Sequence, residues 1–263
     1  MRGNATTIFS IPGCPTFIGI NSYNILKYTV LAIILNIDTA TETASVCICY
    51  NTEVLSIAYS NEQKNHAAFV QPAIQQILQK TNTHIAAIDA VAVTGGPGSY
   101  TGLRVGLATA KGICYALQKP LIIENTLRVM AQAALATLSH YILQNTNTQW
   151  LLCPMIDARR MEVFTAVYQP NLMSVSEPAA RILEEHCYNN LLKDHHILFF
   201  GSGSIKWKKL IQHPNAQFAE ISQNAGHLGV LAYQAWRNKQ WVNLAYATPF
   251  YLKEFYHPKK NYK

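Results

Sequence analysis

The sequence predicts an α/β fold in which one hairpin-led unit is built twice, on three observations. A buried-strand run from Val30 to Ile37 ends on Asp38, and after a polar turn Ala44 to Tyr50 resumes β character. The same device returns in the second half as Trp150 to Ile156, then Asp157, then Glu162 to Tyr168. Later in each half a short apolar strand runs into a glycine turn, Val91 to Gly98 and Ile197 to Gly203. Helical segments alternate with the strands, as layered α/β structure requires.

The elements follow in order. Residues 1–29 are rich in Thr, Asn, Pro and Gly and hold no period, so they read as an extension. After the first hairpin, Val70, Ala73, Ile74, Ile77 and Leu78 recur on one helical face. Pro72 lies inside that stretch, so the helix starts near it or kinks there. Asp89 to Val93 is a short buried strand, and a turn through Ser99 leads into a helix from Tyr100 to Leu117. Its apolar stripe is Leu103, Leu107, Ala110, Cys114 and Leu117. Leu121 to Ile123 is a strand, and Leu127, Met130, Ala131, Ala134 and Leu135 mark a third helix. In the second half a last helix carries Leu228, Leu231, Ala232, Ala235 and Trp236.

Of the 263 residues 49% are hydrophobic and 13% charged, enough apolar material for a substantial core. No apolar run approaches the roughly 20 residues that span a bilayer. The N-terminal stretch, broken by Pro12, Gly13 and Pro15, lacks the apolar core of a secretory signal. A cytoplasmic protein with no membrane partner is therefore expected. Six scattered cysteines form no CxxC pair, and Cys47 and Cys49 share one strand face, so all six are expected to be reduced. The net charge of +7 is concentrated at Lys206, Lys208 and Lys209 and at Lys253, Lys259, Lys260 and Lys263. Such charge suits a nucleic acid or an acidic partner, and equally a solvated terminus.

The chemistry concentrates in the run Gly95 to Gly106. A glycine-rich strand-to-helix junction offers backbone N–H groups to an anion. The run lacks the Gly-Lys-Ser/Thr of a P-loop, has Thr101 where GxGxxG counted from Gly96 needs its last glycine, and forms no GxSxG elbow. Anion binding and simple turn shaping both stand for Gly95, Gly96 and Gly98. Gly102 and Gly106 lie inside the helix, where each costs about 1 kcal/mol relative to Ala. With Ala110 they make a ridge of small residues, and Val105, Thr109 and Gly112 make a second. Packing against this protein's own sheet is one reading of the small face; since the leucine stripe already serves the core, the other is a second neighbour, a helix of another chain. Asp38 and Asp157, each closing a strand, are candidates to hold a metal or orient a phosphate, or to cap their own turns. Arg159 and Arg160 are expected to pair with Asp157. His66, near a helix start, reads equally as a cap or interface residue and as a catalytic one, and His195 and His196 read as surface residues.

Ile37-Asp38-Thr39-Ala40-Thr41-Glu42, the run Gly95 to Gly106, Ile156-Asp157-Ala158-Arg159 and Pro249-Phe250-Tyr251-Leu252-Lys253 resemble, in order and spacing, the TsaB (YeaZ) family over about residues 31–253. The resemblance implies a duplicated ribonuclease-H-like fold of the actin, sugar-kinase and Hsp70 type (ASKHA). Its two lobes would be residues 30–138 and 139–263, the second with a basic tail; residues 1–29 depart from the family, which implies a true start near Val30 or Leu31. The catalytic relative, TsaD, places a metal-holding histidine pair on the helix after the strand that follows the glycine run. Here Glu124 to Ala131 has no histidine, and Arg128 would repel a cation. The resemblance thus implies a subunit with no catalytic residues and no metal, supporting a TsaD-like enzyme and a TsaE-like ATPase in threonylcarbamoyl transfer to tRNA adenosine beside the anticodon.

It also implies a partner interface at His66, Val70, Ile74, Gly102, Val105, Gly106, Thr109 and Ala110. A nucleotide or anion site is implied at Asp38, Thr39, Gly96, Gly98, Ser99, Gly201 and Gly203. No tightly bound cofactor is expected; ATP or ADP in the assembled complex, and a homodimer of the chain alone, stay open. Three other readings compete: an ATP-dependent phosphotransferase of small molecules using Asp38 and Asp157, a metalloenzyme related to TsaD, and a self-associating scaffold.

Overall fold

The computed structural model describes residues 31–62, 65–144 and 149–253, with side chains of 139–144 outside the description. The expected extension and the basic tail beyond Lys253 lie outside the described residues. The first sheet begins with β1 (Ile33–Asp38), β2 (Ala44–Tyr50) and β3 (Glu53–Ser60), an antiparallel meander. Helix α1 (His66–Lys80) leads to β4 (Ala90–Gly96), helix α2 (Tyr100–Leu117) to β5 (Leu121–Asn125), and the sheet order is β3-β2-β1-β4-β5. Helix α3 (Thr126–Gln144) then leads to the second sheet.

That sheet repeats the first. Its meander is β6 (Trp150–Asp157), β7 (Glu162–Tyr168) and β8 (Ser174–Ile182), and β9 (His196–Phe200) and β10 (Ala216–Ala219) run parallel to β6. Read from the other edge its order is β8-β7-β6-β9-β10, the topology of the first sheet strand for strand. The short helices α4 (Asn189–Leu192) and α5 (Ser204–Lys208) flank β9, and α6 (Ala225–Arg237) closes the series. The duplicated ribonuclease-H-like fold is thus present in two sheets of one topology.

Alternation along the central strands decides what each face buries. In β1, Leu35 and Ile37 point into a core with Val70, Ile74 and Ile77 of α1 and Leu107 of α2. Ile34, one residue before Leu35, points to the other face, against Leu228 and Leu231 of α6 and Val129 of α3. Helix α3 also carries Leu127, Met130 and Ala134 onto the second sheet beside Leu152 and Phe200. The far face of that sheet packs Phe199 against Trp207 and Tyr188.

The expected division at residue 138/139 therefore fails. The chain returns after the second sheet, α6 covers the first sheet, and Ala247 is buried in the core under α1 and α2. Helix α1 starts at His66 and runs through Pro72, so of the two expectations the proline lies within the helix and does not start it. Cys47, Cys49, Cys114, Cys153 and Cys187 are free thiols. Among the described residues no helix is long and apolar enough to cross a membrane.

Candidate functional site

The two meanders face each other across a cleft of about 430 Å³. The β1–β2 turn supplies Thr41 and Glu42, the β4–α2 turn Gly98 to Thr101, the β6–β7 turn Asp157 to Arg159, and Ser202 follows β9. Ser99 caps α2: its hydroxyl accepts from the Gly102 N–H at 3.3 Å, and its own N–H donates to the Ala40 carbonyl at 2.7 Å. In the second half the Ser202 hydroxyl, inside the glycine turn after β9, accepts from the Asp157 N–H at 3.1 Å. A smaller chamber beside the cleft, near Gly201, is lined by Met130, Ser222 and Gln223.

The two aspartates that close β1 and β6 have opposite surroundings. Asp38 is sealed under the β1–β2 turn at 1% exposure. Burial raises its pKa, against the pull of the hydrogen bonds from Thr94 and the Ala40 N–H and of nearby His66. Asp157 lies at the rim of the cleft. Burial opposes its ionisation, but hydrogen bonds from Lys206 and the Arg159 N–H prevail and hold its carboxyl below the usual range. Its ion-pair partner is Lys206, not the expected Arg159 or Arg160, because α5 brings that lysine alongside. The pair Asp38 and Asp157 does not line one ligand site.

Of the expected anion residues, Gly98 and Ser99 reach the cleft and Gly201 its side chamber. Thr39 is buried with its hydroxyl donating to the Gly102 carbonyl at 2.7 Å, and Gly203 packs against Val163. Gly96 faces the opposite side. Its φ of 118° and the Phe250 carbonyl, 2.3 Å from where a Cβ would stand, both demand glycine there. Packing of the chain against itself thus accounts for Gly96, and the anion reading does not extend to it, to Thr39 or to Gly203.

The interface expectation needs a larger correction. A Cβ at Gly102 would stand 2.0 Å from the Thr39 carbonyl oxygen, and one at Gly106 2.4 Å from the Thr39 hydroxyl. The glycine ridge is where the β1–β2 turn approaches α2, inside the lobe. Ala110, Val70 and Ile74 are core residues, and His66 is buried with Nε2 donating to the Thr41 carbonyl at 3.0 Å. Only Val105 and Thr109 of the expected set are partly exposed.

Behind the glycine turn lies a second cavity of about 560 Å³, lined by Gly96, Glu124, Arg128, Tyr168, Glu177 and Phe250 among others. Burial raises the Glu124 pKa, tempered by the Arg128 guanidinium at 3.0 Å. Among the described residues no three His, Cys, Asp or Glu side chains gather as metal ligands. Sequence reasoning missed Tyr100, Thr101 and Ser202 as cleft residues. Ser202 was findable, because it stands between Gly201 and Gly203, in the second glycine turn that echoes the turn from Gly96 to Gly98.

Residues 53–191, more than half of the chain, match the family model described as TsaD: tRNA N6-adenosine threonylcarbamoyltransferase. The tRNA threonylcarbamoyladenosine biosynthesis protein TsaB of Escherichia coli is 37% identical over 52% of this chain, a match spanning 54% of that protein's length. The TsaB protein of Bacillus subtilis is 28% identical over 68% of this chain and 75% of its own. A Pseudomonas aeruginosa crystal structure, of an uncharacterized protein with similarity to peptidase YEAZ, superposes with a TM-score of 0.69 at 25% identity. That match covers 84% of this chain and all of the other. Two sheets of one topology, the glycine run between β4 and α2, and these likenesses place the chain in the TsaB (YeaZ) family, within the wider group that the TsaD model describes.

Proposed function

We propose that this chain is a non-catalytic subunit of the apparatus that transfers a threonylcarbamoyl group to tRNA adenosine beside the anticodon, and that it docks on a TsaD-like enzyme. The names of the relatives and of the family model supply the pathway. Where the resemblance calls for a metal-holding histidine pair, this chain has Arg128, closed on Glu124, and a fixed guanidinium there opposes a divalent cation.

The docking reading is carried by the outer face of α1 and α2. Helix α1 exposes Ala67, Ala68, Gln71 and Gln75 and has no acidic residue and no lysine or arginine before Lys80; α2 exposes Thr101, Ala108 and Gly112. The charges that α2 does carry are engaged. Arg104 lies 3.7 Å over the Tyr100 ring and donates to the Tyr251 hydroxyl, and Lys111 donates to the Ala245 and Ala247 carbonyls. A surface of small and uncharged polar residues, with Tyr115 exposed one turn beyond Gly112, suits helix packing against another protein. The same reading includes a TsaE-like ATPase in the assembly, a cytoplasmic setting, and ATP or ADP bound only by the assembled complex.

A Cβ at Gly112 meets nothing within 4 Å, so Gly112→Trp is expected to leave thermal unfolding unchanged. Its affinity for the TsaD-like subunit, by titration calorimetry, is expected to fall about 10-fold or more, the loss of roughly 1.4 kcal/mol. Wild-type affinity in this variant and in Ala108→Trp would refute the docking face. Mass spectrometry of the native chain alone should find neither stoichiometric metal nor nucleotide.

A further inference from the structure

We propose that the turn Arg159–Arg160, at the rim of the cleft, is an RNA-binding element that grips backbone phosphates. Both residues have left-handed backbone, with φ of 70° and 50°, a conformation that residues with a Cβ rarely hold. The turn is pinned from several sides. The Glu162 N–H donates to the Arg159 carbonyl and the Ala158 N–H to the Glu162 carbonyl, both at 3.1 Å, and Lys206 Nζ donates to the Arg160 carbonyl. The structure therefore maintains an unfavourable backbone in order to present two adjacent arginines.

The two carboxylates that flank the turn are both taken by lysines, and Glu42 of the β1–β2 turn lines the same cleft as Arg159, so the turn keeps a positive excess. Asp157 is paired with Lys206, and Glu162 with Lys253. Among the described residues neither the Arg159 nor the Arg160 guanidinium makes a hydrogen bond or ion pair, and both side chains belong to exposed residues. Lys208 and Lys209, exposed on and just beyond α5, add positive charge to the same short element, Lys208 lying 6.0 Å over the Phe218 ring. Guanidinium forks match phosphate oxygens bidentately, and exposed Met161, next in the chain after Arg160, offers apolar surface to an unstacked base. A ribonucleic acid backbone is the polyanion that fits. The identity of that RNA as tRNA rests on the function proposed above; the phosphate-binding role of the turn does not.

The test uses Arg159→Asn/Arg160→Asn, since Asn tolerates left-handed backbone, alongside Arg159→Lys/Arg160→Lys. Each is measured as the isolated chain and in complex with the TsaD-like subunit, against a transcript of a tRNA anticodon stem-loop. The Asn pair is expected to unfold at the parent temperature or above it. Its RNA affinity should fall about 10-fold or more, and the slope of log affinity against log salt should shrink by about 1.4 to 1.8, two phosphate contacts' worth. The Lys pair should keep most of the affinity and the slope. Unchanged affinity and slope in the Asn pair would overturn the proposal, and so would equal loss in both pairs, or loss confined to vesicles of anionic lipid. Subunit association should be unaffected in all variants; its failure in the wild type would sink the docking reading while leaving the RNA result on the isolated chain intact.

Discussion

A methyl group added at Gly106 would stand 2.4 Å from the Thr39 hydroxyl oxygen and 3.3 Å from a Val93 methyl. Gly106→Leu is therefore expected to destabilise the isolated chain by at least about 1–3 kcal/mol, as overpacking does, while Gly112→Leu leaves it near wild type. Urea unfolding of both variants checks this. The sequence disclosed that the helix has two small ridges, yet not which of them turns inward, because a glycine serves a backbone approaching from its own lobe as well as from another chain. Asp157 teaches the same about charge. Its lysine partner lies in another element, and only the placement of α5 against the β6–β7 turn joins them. Asp38 yields a pH prediction. Its folded pKa is raised, so between its unfolded value near 4 and that higher folded value the folded state binds the extra proton, and stability falls as pH rises. Asp38→Asn is expected to remove that part of the slope in unfolding measured from pH 4 upward.

Helix α2 runs from Tyr100 to Leu117, the span its pattern predicts, since Ser99 caps one end and Gln118, at φ 54°, stops the other. The central strands were likewise readable from apolar runs. The meander edges β3 and β8 were not. Their exposure alternates poorly, with Val54, Leu55 and Val175 turned to solvent, and β8 contains Pro178. The segment after α6 also escaped pattern reading, having no period of its own. It is held by others: Val242 bridges to Leu121, Lys111 clamps the Ala245 and Ala247 carbonyls, and the Phe250 N–H donates to the Gly95 carbonyl. Lys111→Met is expected to loosen this strap by about 1 kcal/mol, given its partial exposure. Hydrogen exchange should then quicken across residues 243–253 and leave β1 unchanged.

The doubling of one topology was visible in the sequence as two aspartate-ended strands and two glycine turns, which become the matched sheets and the matched positive-φ residues Gly96 and Gly201. The crossing of the chain between those sheets was not visible, since an amphipathic helix names the face it buries and not the sheet that receives it. One cooperative unfolding transition is expected, with circular dichroism and tryptophan fluorescence coinciding, because α3 and α6 share cores with both halves or with each other. A fragment of residues 31–144 should fail to fold, lacking Leu228 and Leu231 over Ile34, Ala92 and Ile122. The order of synthesis gives that arrangement a further meaning. All strands of the first sheet leave the ribosome before any of the second, but one face stays wet until α6 has emerged. A translational pause or a premature stop within the second sheet would therefore strand a nearly complete first lobe with its apolar face open. The lobe made first is the lobe finished last.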